Sequence, residues 1–174
     1  MGTPFRTPPA APRAEPGMMQ RRHLRWRLSA RAMLLFVAAN LLWEAAQMPL
    51  YTLWRSGSAG EIAFAVLHCT GGDGLIAAAS FTLAIVLTRG WYWPERGFRP
   101  VLVATTLLGL AYTIFSEWLN VEWRGTWAYA DAMPLLPIIG TGLSPVLQWL
   151  LLPALSLLAA RNMVGRANPI GVPP

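Results

Sequence analysis

The chain has 174 residues and a formal charge of +6, with 55% hydrophobic residues and only 13% charged ones. Soluble domains carry about 25% charged residues, so this composition excludes a disordered chain and disfavours an ordinary soluble domain. All 14 basic residues are arginine, which excludes chemistry needing a lysine amine, and the single cysteine, Cys69, excludes an intrachain disulfide or a cysteine-based zinc cluster.

Seven of the arginines lie in the first 31 residues, and the first 17 also hold Pro4, Pro8, Pro9, Pro12 and Pro16. Such a segment cannot build a core. Residues 1–31 are therefore expected to be a disordered Pro/Arg-rich tail. It ends in a basic helical collar over 21–31 that lies on the headgroups with Trp26 as anchor. Basic charge suits nucleic acid or an anionic membrane surface. The apolar run that starts directly after Arg31 favours the membrane, and no nucleic-acid partner is expected. Arg21-Arg22 hints at a twin-arginine signal, but the run continues through Asn40, Trp43 and Glu44 without a small-residue cleavage site. It reads as a retained transmembrane helix.

A helix needs about 20 apolar residues to cross the hydrocarbon. Four segments qualify: 32–53, 62–88, 101–123 and 142–160. The alternate connections and tails hold twelve arginines on one side and two on the other, which predicts that both termini are cytoplasmic. Trp91 and Trp93 mark one interface, and Trp54, Trp123 and Trp127 the other. The expected fold is all-α. It is an integral membrane bundle of four transmembrane helices over 32–161, with a short cytoplasmic tail at 162–174, seated in a bacterial inner membrane.

Ionisable groups inside a span are costly and mark functional candidates. The first span carries Asn40, Glu44 and Gln47, whose spacings of four and three put them on one helical face. The second carries His68, Cys69 and Asp73, the third Tyr112, Ser116, Glu117 and Asn120, and the fourth Gln148. At about 1.5 Å per residue, Glu44 lies roughly 14 Å below the outer end of its span, Asp73 about 16 Å, and His68, Glu117 and Gln148 about 9 Å. All of them fall in the outer half of the bilayer, which predicts one polar cavity open toward the periplasm. Interhelical hydrogen bonds worth about 1 kcal/mol each are the plain reading of Asn40, Gln47, Asn120 and Gln148. Glu44 and Glu117 resist that reading, because a carboxylate costs more to bury than an amide.

One histidine and three carboxyls lack the Glu-x-x-His spacing of di-iron bundles, so no metal and no cofactor are expected. Acid–base chemistry on a lipid-soluble substrate fits better. Glu44 and Glu117 are candidates for proton donor and charge stabiliser, and His68 and Asp73 for relay. Asn40, Gln47, Tyr112, Asn120, Trp127, Tyr129 and Gln148 are candidates for substrate contacts. Two other readings stand beside this one: a non-enzymatic membrane subunit or scaffold, and a proton or metal carrier. The expected partners are membrane lipids, a lipophilic small-molecule substrate, and a second copy or a partner subunit.

The link between the third and fourth spans is dense in aromatic, proline and glycine residues, and its apolar middle is too short to span. An interfacial or re-entrant segment over the cavity is predicted. Glu117, then Gly125-Thr-Trp127-Ala-Tyr129, then Pro145-Val-Leu-Gln148-Trp149 resembles the membrane carotenoid-modifying proteins of the lycopene cyclase and carotenoid hydratase type. The resemblance covers about residues 117–149. It implies protonation of an isoprenoid double bond. Those cyclases carry an acidic pair after the proline that opens the next helix; here Gln148 and Trp149 follow Pro145. The whole chain also resembles small bacterial integral membrane proteins.

Overall fold

No glycine or proline interrupts the chain from Met18 to Met48. In the computed structural model, which describes residues 18–167, that stretch is one helix, α1 (Met18–Gln47). The basic segment over 21–31 is helical and continuous with the first candidate span, with Leu24 and Leu28 turned into the bundle. The Pro/Arg-rich tail over 1–17 and the end of the C-terminal tail lie outside the described residues. Pro49 closes α1 through a single 3-10 turn, Met48–Leu50, and a short helix α2 (Leu53–Ser56) follows.

Helix α3 (Ala59–Leu87) starts at a reciprocal cap. The Ser58 hydroxyl accepts from the Glu61 N–H at 3.3 Å, and the Glu61 carboxylate accepts from the Ser58 N–H at 2.8 Å, so two otherwise orphaned donors are satisfied. Helix α4 (Phe98–Glu117) follows Gly97, whose φ of +77° suits a residue without Cβ. It continues as one π-helical turn, Trp118–Trp123. Helix α5 (Leu143–Ala167) carries Pro153 inside it and ends beyond the predicted boundary of the fourth span.

Four helices among the described residues are long and apolar enough to cross a membrane, and the chain is a multi-pass integral membrane protein. The spans run Gln20–Leu50, Ala59–Leu87, Phe98–Trp123 and Leu143–Val164. Helices α1 and α4 each pack on both α3 and α5, which makes a four-membered ring. The core is apolar toward the arginine-rich end. There Leu28, Ala84, Val101 and Ala160 are buried together with Trp93 from the 88–97 link. Arg21 pairs with Glu95 at 3.8 Å, Arg25 donates to the Trp91 carbonyl at 2.9 Å, and Arg161 lies 4.6 Å from the Phe98 ring centroid. A second cluster, Phe36, Ala77, Trp149 and Leu152, fills the middle. Gly109 on α4 makes room for Trp149, since a Cβ there would overlap the indole.

Beyond Trp149 the interior turns polar. The 124–142 link covers this end as irregular backbone. Tyr51 and Tyr129 form an antiparallel bridge, with Thr52 N–H donating to the Ala128 carbonyl at 3.0 Å and Ala130 N–H to the Leu50 carbonyl at 2.9 Å. A second bridge joins Leu135 and Gly142. Between them the chain turns through Ile138 and Gly140, both at positive φ, and the Ile138 side chain is fully exposed.

Candidate functional site

Asn40, Glu44 and Gln47 share one face of α1, and that face is buried against α3 and α5. Gln148 of α5 is only 1% exposed and stands at the centre. Its amide nitrogen lies 2.7 Å from the Asn40 Oδ1, 2.8 Å from the Glu44 Oε1 and 3.1 Å from the Asp73 Oδ2. Three oxygens thus surround a group that carries two hydrogens. Asn40 donates a further bond of 3.1 Å to the same Asp73 oxygen, and Glu44 and the Trp149 indole also face Asp73. On its other side Gln148 accepts from Gln47 at 3.3 Å; Gln47 accepts from Ser144 at 2.8 Å; and the Trp43 indole donates to Ser144 at 3.2 Å. One connected network therefore runs from Trp43 to Asp73 through α1, α5 and α3.

A second acid is held separately. Glu117, at the last position of α4, accepts from the Tyr129 phenol at 2.5 Å and, less closely, from the Tyr51 phenol at 3.4 Å. The Gly142 N–H donates to the Tyr129 oxygen at 3.0 Å, which fixes the phenol as a donor toward Glu117. Burial, and then the Glu117 carboxyl beside them, push both phenols above their ordinary titration range.

Between the two acid sites lies a cavity of about 690 Å³, within the range of about 300–1,000 Å³ usual for small-molecule sites. Of the residues singled out from the sequence, Glu44, Gln47, His68, Asp73, Tyr112, Glu117, Asn120, Trp127 and Gln148 line it. Asn40 and Tyr129 stand behind the wall, where they hold Asp73 and Glu117. His68 is exposed at the rim and stacks on Phe64 with ring centroids 5.4 Å apart. Its distance of five residues from Asp73 turns it well away from that carboxyl around α3. Tyr112 is likewise half-exposed at the rim. Asn120 is occupied with the π-helical turn and the link after it: it donates to the Ser116 carbonyl at 2.8 Å and accepts from Thr126 at 3.0 Å.

Several contributors carry no signal as single residues in the sequence. Tyr51 reaches Glu117 only because the 124–142 link pairs with the chain after α1. Ser144 and Trp43 enter through the hydrogen-bond chain, and Thr113 lies one turn before Glu117 on the cavity wall. The spacing of four between Thr113 and Glu117 is the one pattern that sequence inspection could have used. Among the described residues no group of three or more His, Cys, Asp or Glu side chains is placed to hold a metal ion.

The fold and site define a membrane-embedded four-helix bundle with an acid-lined cavity at one end. No family model matches the chain, and neither a curated protein nor a solved structure shows significant similarity to it.

Proposed function

We propose that this protein is a membrane enzyme that performs acid–base chemistry on an isoprenoid or other lipid in the cavity between Glu44–Asp73 and Glu117. The observation that carries this reading is the pairing of two separately held acid sites on one cavity. One site supplies a proton to an alkene carbon, and the neighbouring carbon becomes cationic. The other site stabilises that charge and removes a proton from an adjacent carbon, which completes an isomerisation. Attack on the cation by a second double bond of the same molecule before that loss gives a cyclisation, and attack by water, whose extra proton passes to the second site, gives a hydration. Aromatic side chains at the wall, Tyr51, Tyr112, Trp127 and Trp149, offer π faces to the cation. Asn40, Gln148 and Tyr129 position the acids. The local resemblance over 117–149 to carotenoid-modifying proteins supports the same reaction class. The twelve-to-two arginine asymmetry supports a cytoplasmic location for both termini in a bacterial inner membrane, which puts the cavity on the outer side.

The test compares total lipid extracts of cells carrying the wild-type protein, Glu117→Gln and Asp73→Asn by mass spectrometry. A lipid that accumulates in both variants and is consumed in wild type, with the variants still folded and membrane-inserted, is the expected result. Identical extracts from all three strains would remove the enzymatic reading. A protein co-purifying at fixed stoichiometry would then favour a structural subunit.

A further inference from the structure

The cavity has two unlike sides. Its inner wall is polar, built from Glu44, Asp73, Glu117 and Gln148. Its rim includes Phe64 and His68 of α3 and Tyr112 of α4, all exposed, so it opens through the side of the bundle between these two helices. His68 is nine residues beyond the start of α3, about 14 Å along the helix. The opening therefore reaches to the depth of lipid tails. An occupant arriving there needs an apolar part that can remain in the bilayer.

The head of that occupant is constrained by charge and by hydrogen bonding. Four carboxyl side chains, Glu44, Glu61, Asp73 and Glu117, line the cavity against one arginine, the exposed Arg124. That balance disfavours a phosphate or carboxylate head, since like charges repel most strongly away from water. Two wall residues, Thr113 and Trp127, carry a buried hydroxyl and a buried indole N–H with no hydrogen-bond partner among the described residues. Trp127 also lies against Glu117, in a geometry short of a full hydrogen bond. An indole N–H can only donate, so it requires an acceptor, while the carboxyl oxygens beside it require a donor. An ammonium head cannot accept, and a ketone or ester head cannot donate. A hydroxyl does both.

We infer that the cavity holds the head of a hydroxyl-bearing amphiphile, an uncharged lipid alcohol, whose tail leaves the bundle sideways between α3 and α4. This rests on the reading of the cavity as a ligand site, but not on proton transfer within it. Gly72 provides a way to narrow the site. It lines the cavity on α3, and a Cβ built there meets nothing within 4 Å. A leucine at 72 would start into open space and take up part of the cavity.

The experiment is native mass spectrometry of the full chain in detergent. The protein is offered equimolar oleyl alcohol, oleylamine and oleyl phosphate, and then the same three heads on a geranylgeranyl tail. The expected result is one bound lipid per chain, with the alcohol at the highest occupancy for at least one tail. Trp127→Phe and Thr113→Val should each weaken alcohol binding about three- to tenfold, the loss of one hydrogen bond, and Gly72→Leu should weaken it by taking up cavity space. Preference for the phosphate or the amine, absence of any bound lipid, or alcohol binding unchanged in Gly72→Leu would each overturn the inference. Failure here is separable from failure of the enzymatic reading. An alcohol bound as expected together with unaltered lipid extracts in Glu117→Gln removes the chemistry and keeps the ligand. A bound phosphate together with altered extracts does the reverse.

Discussion

The Tyr129 phenol bonds to the Glu117 carboxyl at 2.5 Å, and this contact ties the link before α5 to the last residue of α4. The Gly142 N–H, just ahead of α5, closes the arrangement by donating to the same phenol oxygen at 3.0 Å. One hydroxyl therefore serves a buried carboxyl and a buried backbone donor together.

Tyr129→Phe keeps the ring that packs 5.6 Å from the Tyr51 ring but removes that hydroxyl. Two groups lose a partner, and a lost buried hydrogen bond costs about 1–3 kcal/mol. The variant should unfold earlier in a denaturant series in detergent, and a protease should cut 124–142 faster than in wild type. Unchanged stability together with unchanged cleavage would mean that the hydroxyl does not hold the link.

The same phenols predict an alkaline limb in the stability profile. Both Tyr51 and Tyr129 are pushed upward by burial and then by the Glu117 carboxyl. A tyrosine in the unfolded chain loses its proton near pH 10, whereas the folded protein keeps both phenols protonated above that. The folded state thus binds protons more tightly, so the stabilisation is fully present below about pH 10 and declines as pH rises beyond it. Unfolding midpoints measured from about pH 8 to pH 11 should fall in wild type and fall less steeply in a Tyr51→Phe/Tyr129→Phe double variant. Parallel curves for the two proteins would assign the limb to other groups.

Hydropathy alone reveals the four crossing helices, because a span is a run of apolar residues and requires no partner to be recognised. The one-face pattern of Asn40, Glu44 and Gln47 is legible for the same local reason, and the structure places all three around Gln148 and Asp73. The early start of α1 is harder to see. Arginines at 21, 22, 25 and 27 lower the local hydropathy, although Leu24, Leu28 and Ala32 recur every four residues along the buried stripe. The grip on Glu117 is legible only in part: Tyr129 stands out in the sequence, but Tyr51 and the meeting of the two do not. Tyr51 and Tyr129 are 78 residues apart in a sequence of 174, and they meet through backbone pairing of two irregular segments that have no periodicity to read. His68 shows the opposite limit: a histidine inside a span invites a central role, yet its angular position on α3 puts it at the rim.

Gln148 is the hub that joins three helices, and its removal should be felt beyond a single bond. Gln148→Leu keeps similar bulk but leaves Asn40, Glu44 and Asp73 without the amide nitrogen between them and Gln47 without an acceptor. Each interhelical hydrogen bond in a membrane is worth about 1 kcal/mol, and bonds that share one group do not add fully, so a loss of about 2–3 kcal/mol is expected. Gln148→Glu tests the sign of charge at the same position. It swaps the donor nitrogen for an oxygen facing two carboxyls, and it should be at least as damaging as Gln148→Leu. Unfolding titrations in a fixed detergent mixture would rank the two variants. A Gln148→Glu protein as stable as wild type would show that the acidic side chains do not depend on the amide hydrogens.

Two glycines in the helices should respond in opposite directions to the same added methyl group. Gly71 on α3 has open space where a Cβ would stand, whereas a Cβ on Gly109 of α4 would run into the Trp149 indole. At Gly71 the helix gains from losing a flexible residue, by up to about 1 kcal/mol. At Gly109 the overpacking outweighs that gain and costs about 1–3 kcal/mol. The displacement also reaches the site, because Trp149 faces Asp73 and follows Gln148 directly in α5. Gly71→Ala should therefore raise the thermal midpoint in detergent and leave the near-ultraviolet circular dichroism unchanged. Gly109→Ala should lower the midpoint and alter the tryptophan bands. Equal midpoints for the two variants would mean that α4 and α5 are not packed through this contact, and the support that Trp149 gives to Asp73 would have to come from elsewhere.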